Sequence, residues 1–262
     1  MIILPPPLIL PPEKPAFVQP AREIALPRKF KRFLIKKGIF PTPYILRRRV
    51  TTIEFGSGSV LNPSATTHTH SGMTLGAADS GRYVIAAIDC RNASAVTVSS
   101  LTIAGITATL IYAYQSGGTI SGFWVALAPT GTTGDVVITF SGSTSRSGVS
   151  TYRLLTSYDP TSYSDAQQDT TATSNHLDIT LNVPAMGVAL AAFFYSNSTT
   201  ATTSWSGLAE DYDNAYPTAA NQCHSTAGGT NTFPTGNGSL AVQAQGSGTA
   251  GSVLALTGIT LR

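Results

Sequence analysis

The residues in this chain that could do chemistry are few. His68 and His70, in the run THTH, stand two apart, a spacing that puts two imidazoles on one face of a strand, where they could share a metal ion. No matching carboxylate stands near them in the sequence, so exposed, solvated histidines are the expectation. Glu210, Asp211, Asp213 and Asn214 (EDYDN) gather oxygen ligands in what reads as a loop. Their spacing is not that of a known calcium loop, and a solvated turn is the plainer reading. His176, Cys223 and His224 are too scattered to assemble on sequence grounds. Motifs for a serine-hydrolase elbow, a zinc-protease helix, a phosphate loop or a dinucleotide fold are missing. No catalytic residue, metal ligand or cofactor is therefore expected. A pair of acids for glycoside cleavage could still come from distant strands, so a polysaccharide-cleaving enzyme stays as an alternative.

Only two cysteines, Cys90 and Cys223, occur, and neither belongs to a metal-spaced pair. A bridge between them could stabilise the fold by about 4–5 kcal/mol if geometry allowed, but two unpaired thiols are the default. Trp124 lies in an apolar run and reads as core. With Trp205 as the only other tryptophan, a sugar-stacking platform is not indicated.

The elements that would position these residues follow from composition. Charged residues make up 11% of the chain, against about 25% in an average soluble protein. Gly, Ser and Thr take their place beyond residue 50, which favours strands and turns over helices. LDITLNV alternates cleanly, with Leu177, Ile179, Leu181 and Val183 on one face. ITATLIY (Ile106, Ala108, Leu110, Tyr112) and SLAVQAQ (Leu240, Val242, Ala244) alternate likewise. RYVIAAI, GFWVALA, DVVITF and GVALAAFFY are apolar throughout. With GVSTYRLL and SVLALTGITL the count reaches roughly ten strands, which predicts an all-β, antiparallel two-sheet sandwich of jelly-roll type over 51–262. No 20–50-residue period repeats, and 208–237 reads as exposed loops.

Residues 1–50 obey different physics. They hold 11 of the 16 Lys and Arg residues and 10 of the 16 prolines, with only Glu13 and Glu23 as acids. Their net charge is +9, which leaves −6 for the rest. Repeated proline blocks both sheet and helix over 1–27, and an extended polyproline conformation is expected. Ile2, Ile3, Leu4, Leu8, Ile9, Leu10 and Phe17 are too apolar for a solvated linker and call for a groove to fill. RKFKRFLIKKG (Arg28, Lys29, Phe30, Lys31, Arg32, Phe33, Leu34, Ile35, Lys36, Lys37, Gly38) predicts one short helix, with Phe30, Phe33 and Leu34 on one face and cations at its C-terminal end. Arg47, Arg48 and Arg49 close the arm. Dense proline and the apolar lead-in are unusual for nucleic-acid binding, and a basic amphipathic helix lying on an anionic membrane is a further reading, less favoured than a protein partner. The pattern fits a tether over a protein assembly, with apolar anchors and Lys/Arg for acidic neighbours.

The phrases LGAADSGRYVIAAI, LTIAGITATLI, ALAPTGTTGDVVITFSG, NVPAMGVALAAFFYS and WSGLAEDYD together resemble a group of β-sandwich virion proteins of tailed bacteriophages. The resemblance covers roughly 73–262 through the style and order of segments, and it brings no site residues with it. It implies a structural virion protein made in the host cytoplasm, a decoration, head-fibre, collar or tail component on the particle surface. Its partners would be other virion proteins (capsid, portal/neck or tail) and the host surface, and it would form a homo-oligomer, with a trimer as one form. A receptor- or glycan-binding tail module is the alternative.

Overall fold

Strands are the only regular elements among the described residues of the computed structural model, which are 51–155, 160–170, 175–196, 201–230, 238–247 and 253–262. The arm, with its expected helix and every partner-binding residue named above, lies outside them. The first half contains β1 (Thr52–Leu61), β2 (Ala65–Thr74), β3 (Tyr83–Arg91), β4 (Val98–Ile103), β5 (Ile106–Thr107), β6 (Thr109–Ser116), β7 (Thr119–Leu127), β8 (Thr133–Thr144) and β9 (Arg146–Leu155). The second contains β10 (Asp165–Asp169), β11 (His176–Val183), β12 (Val188–Ser196), β13 (Thr203–Ser206), β14 (Ala209–Tyr216), β15 (Ala219–Thr230), β16 (Gly238–Gly246) and β17 (Val253–Leu261).

The expected antiparallel sandwich is present, but with four sheets rather than two. Their orders are β2-β8-β4-β5, β1-β9-β3-β7-β6, β10-β17-β12-β15-β14 and β11-β16-β13. Three cores define the layering. Val84, Ile88 and Trp124 of the first inner sheet pack against Leu101, Val136, Ile138 and Phe140 of the first outer sheet. Ile85, Phe123 and Tyr152, on the other face of that inner sheet, pack against Val188, Leu190 and Ile259 of the second. Phe193, Tyr195 and Leu256 then pack against Leu177, Ile179, Leu181 and Val242 of the second outer sheet. The runs that read as apolar throughout, β3, β7, β12 and much of β17, therefore belong to sheets buried on both faces. β11 alternates because its sheet is an outer layer.

The two halves match strand for strand. β1, β9, β3, β7 and β6 stand in the same order as β10, β17, β12, β15 and β14, and β2-β8-β4 corresponds to β11-β16-β13. This repeat of strand order spans about 100 residues, so a search for 20–50-residue periods passes over it. The halves also meet reciprocally. Tyr112 of β6 donates to Gln168 of β10, while Phe55 of β1 stacks on Tyr212 of β14. Ser121 of β7 bonds Thr257 of β17, while Ser150 of β9 bonds His224 of β15. Each pair maps onto the other under the strand correspondence, as in a two-fold dimer contact, here within one chain.

Two expectations need correction. Residues 209–216 and 219–230 are strands, not exposed loops. Their polar side chains look loop-like in sequence, yet His224 and Thr226 are buried in the seam between the inner sheets, and Ser225 is buried on the opposite face, bonded to Thr203 and Trp205. In ITATLIY the chain is broken into β5 and β6, and the register shifts between Leu110 and Tyr112. The bulge turns Ile111 into the core and leaves Leu110 exposed, and Ile106 on the short β5 is exposed as well.

At the loop end of the first half, the fully buried Arg82 donates to the carbonyls of Ala128 (2.6 Å), Gly76 (2.7 Å) and Thr130 (2.7 Å). It ties the β2–β3 connection to the β7–β8 connection, which also meet through the Leu75 and Ala128 amides. Within the seam, glycines set the approach of the halves. A side chain at Gly58 would enter the Tyr212 ring, and one at Gly148 would enter the His224 imidazole. Gly148→Ala should therefore cost about 1–3 kcal/mol through overpacking, read as a lower urea midpoint. An unchanged midpoint would mean that the seam can widen freely.

Candidate functional site

The structure assembles what the sequence left scattered. Asp89 lies on β3, Ser150 on β9 and His224 on β15, so the first two come from one half and the third from the other. The Asp89 carboxylate holds His224 Nδ1 through Oδ2, and His224 Nε2 lies 2.9 Å from Ser150 Oγ. Tyr216 of β14 donates to Asp89 Oδ1 at 2.5 Å, and Thr226 Oγ1 donates to Ser150 Oγ at 3.0 Å. Burial, then the neighbouring Asp89 carboxylate, pushes the Tyr216 phenol well above its usual range, so it remains a donor.

The order acid, imidazole, hydroxyl is that of an acyl-transfer triad. Its setting is different. Asp89, Ser150 and His224 are each 0% exposed, and Gly148 closes over the imidazole. Ser150 Oγ is also engaged twice, by Thr226 and by His224. As built, the cluster is an interlock: every member is satisfied by another, and the bonds cross the seam between the halves. The local symmetry makes its one-sidedness visible. Asp89 is paired with Ser121 and Gly148, and its counterpart Phe194 with His224 and Ala255. One side of the seam thus carries Asp, His and Ser where the other carries Phe, Ser and Thr. Sequence reading could not find this site, because its residues are up to 135 positions apart and none belongs to a motif.

His68 and His70 are not the exposed residues expected. Both point into the first sandwich and are 1% and 0% exposed. Ser147 Oγ sits between them, 2.7 Å from His68 Nδ1 and 2.9 Å from His70 Nε2. Ser59 Oγ lies 3.0 Å from His70 Nδ1, and Thr144 Oγ1 lies 2.9 Å from His68 Nε2. Burial, then the neighbouring His224 and His68, holds His70 down at about 3, and burial lowers His68 as well. Two neutral imidazoles fit one head-to-tail chain, with Ser59 donating to His70, His70 to Ser147, Ser147 to His68 and His68 to Thr144. Strand β9 thus carries a polar cluster on each face, Ser147 toward the outer sheet and Ser150 toward the seam.

The remaining candidates fall as follows. Glu210, Asp211 and Asp213 lie on strand β14, not in a turn. Asp211 accepts from Tyr152 Oη at 3.0 Å, and burial lifts its carboxyl to about 6. Asp213 accepts from the Thr203 amide at 2.8 Å. Cys90 and Cys223 are both buried and free. They neighbour Asp89 and His224 in sequence and so point away from the seam, into opposite outer cores. Burial pushes both thiols up, Cys90 to about 12. Trp124 is core, as expected. His176 is exposed beside Asp178, at 3.4 Å. Among the described residues no three His, Cys, Asp or Glu side chains are placed to hold a metal ion.

No family model matches the chain, and no match was found among curated proteins or solved structures.

Two outcomes follow from these clusters. Asp89→Ala should lower stability by roughly 3–5 kcal/mol, because it strands a buried imidazole and phenol. In a double-mutant cycle with His224→Ala the two losses should be strongly sub-additive; additive losses in urea unfolding would dissolve the interlock. Second, unfolded chains protonate His70 near pH 6.5 while the folded chain resists down to about 3. Stability is then intact above pH 6.5 and falls as pH drops through that window. Between pH 7 and pH 5 His70 alone should cost about 2 kcal/mol. His70→Gln should flatten the pH profile by that amount, and a parallel profile would show that His70 titrates normally.

Proposed function

We propose that the chain is a structural protein of a tailed-phage virion. The arm (1–50) anchors it to the head, the neck or collar, or the tail, and the four-layered body projects outward as a decoration or fibre module. The observation that carries this reading is the pair of like-ordered sandwiches. Lettered B to I, the first half orders its strands B-I-D-G and C-H-E-F, with F bending from one sheet to the other through β5 and β6. The second repeats B-I-D-G and C-H-E. That order supports a jelly roll, a fold used in viral shells, and two of them bolted through buried polar bonds make a rigid projecting block.

Charge supports the anchoring half. The arm carries +9, the first sandwich (51–155) has four arginines against four acids, and the stretch 160–262 has six acids against Arg262 alone. A basic, apolar arm on a neutral-to-acidic body suits attachment to an acidic protein surface with the body facing away. Like-signed bodies on neighbouring copies would also keep apart, as a decorated surface requires.

The test uses full-length protein and particles assembled without it. Wild-type chain should co-sediment, with binding that falls as salt rises. A variant with Arg47, Arg48 and Arg49 changed to Glu and Phe30 and Phe33 changed to Ser should lose at least tenfold in affinity while keeping its unfolding midpoint. Equal sedimentation of the two would move the interface from the arm to the body.

A further inference from the structure

The two ends of the seam are equivalent in strand order but are not filled alike. At one end the Tyr216 ring is buried, lying 6.3 Å from Phe194 and bonded to Asp89. Beside it Arg146 Nη1 donates to Gln222 Oε1 at 2.8 Å. The pairing registers identify what stands at the other end. Arg91 pairs with Thr119 and Arg146, and Ser196 with Gln222 and Val253. Thr119 therefore takes the place of Gln222, and Val253 that of Arg146. Ser116 ends β6 as Tyr216 ends β14, each at the hairpin to the next strand.

Serine, threonine and valine thus replace tyrosine, glutamine and arginine. The consequence is a cleft of about 250 Å³, open to solvent and lined by Arg91, Tyr114, Ser116, Thr119, Thr170 and Val253. Arg91 is held in place from behind. Its Nη1 donates to the carbonyls of Asn92 (2.6 Å) and Gly117 (3.1 Å). The Gly117–Gly118 turn has positive φ at both residues, 55° and 81°, the backbone that a two-residue hairpin requires. A Cβ at Gly118 would lie 2.5 Å from the Asn92 carbonyl oxygen, so the turn can sit this close only as glycine. Arg91 Nε and Nη2 make no hydrogen bond among the described residues.

We propose that this cleft binds one acidic sugar residue, a monosaccharide unit bearing a carboxylate. A pre-positioned guanidinium with free donors suits a carboxylate, and suits it in two-pronged fashion. The hydroxyls of Ser116, Thr119, Thr170 and Tyr114 can exchange donors and acceptors with ring hydroxyls. Tyr114 and Val253 offer apolar surface to the carbon face of the ring. The volume lies below the ~300 Å³ at which sites for larger ligands begin, which fits a single ring, terminal or pendant on a longer chain. Occupancy of the cleft does not depend on where the arm docks.

The probes are glucuronate, glucose and inorganic phosphate, each titrated into the full-length protein and followed by saturation-transfer NMR. Glucuronate should give a saturable response, at least tenfold tighter than glucose and tighter than phosphate. Arg91→Gln should bring glucuronate down to the level of glucose. Ser116→Tyr copies the plug of the opposite end and should remove binding of both sugars while the unfolding midpoint stays at the wild-type value. If that variant fails to fold, Thr119→Gln, which copies Gln222, serves the same purpose. Equal affinity for glucose and glucuronate, phosphate binding as tightly as glucuronate, or undiminished binding in a folded plugged variant would each overturn the assignment.

Discussion

Both inner sheets are covered on both faces, and the rest of the structure follows from that burial. A central strand of such a sheet has no wet side to which a polar group can be assigned. Every side chain must be apolar or find a partner inside. β3 and β12 meet the demand mainly with Val, Ile, Ala, Leu and Phe. β9 and β15 meet it with small and polar residues that bond to one another. Ser147, Ser150, His224, Ser225 and Thr226 are consequently buried although none is hydrophobic.

The seam joins two halves of like strand order whose contact residues differ. Two identical halves would present the same residues at both ends of the contact. Here Asp89, His224, Ser150 and Tyr216 occupy one side and Phe194, Ser121, Thr257 and Ser116 the other. A polar network of this kind contributes more to uniqueness than to net stability, since replacing it whole by apolar residues can be neutral while breaking it in part is costly. On this chain it disfavours pairing of a half with a second copy of itself, because Asp89 would then meet Ser121 in place of His224, and His224 would meet Phe194 in place of Asp89. The same divergence leaves the opposite end of the seam unplugged.

The neutral histidine pair belongs to the same constraint. His68 and His70 alternate with threonines along β2, and their face is the interior of the first sandwich. Ser147 can serve both because a hydroxyl donates once and accepts twice. The two clusters flank β9, so one strand couples the core of the first sandwich to the contact with the second.

Much of this was legible from residue types alone. The scarcity of charge and helix formers, the period-2 runs and the apolar strands determined an all-β antiparallel body, and composition placed a basic, proline-rich stretch before residue 50. LDITLNV announced an outer-sheet strand, and RYVIAAI and GFWVALA announced strands without a wet face. Local pattern reports what a strand buries, because alternation is set by the backbone itself. It does not report against what, and that only the tertiary structure decided. Apart from the hairpins, strand partners here lie tens to about a hundred residues apart, and nothing in ATTHTHSGMT or AANQCHSTAGGT distinguishes a polar strand paired in the interior from a solvated loop. His68, His70 and His224 looked exposed because their hydrogen-bond partners are remote in sequence. The four-layer stacking, the matched halves and the Asp89–His224–Ser150 interlock exist only once those distant strands are laid side by side.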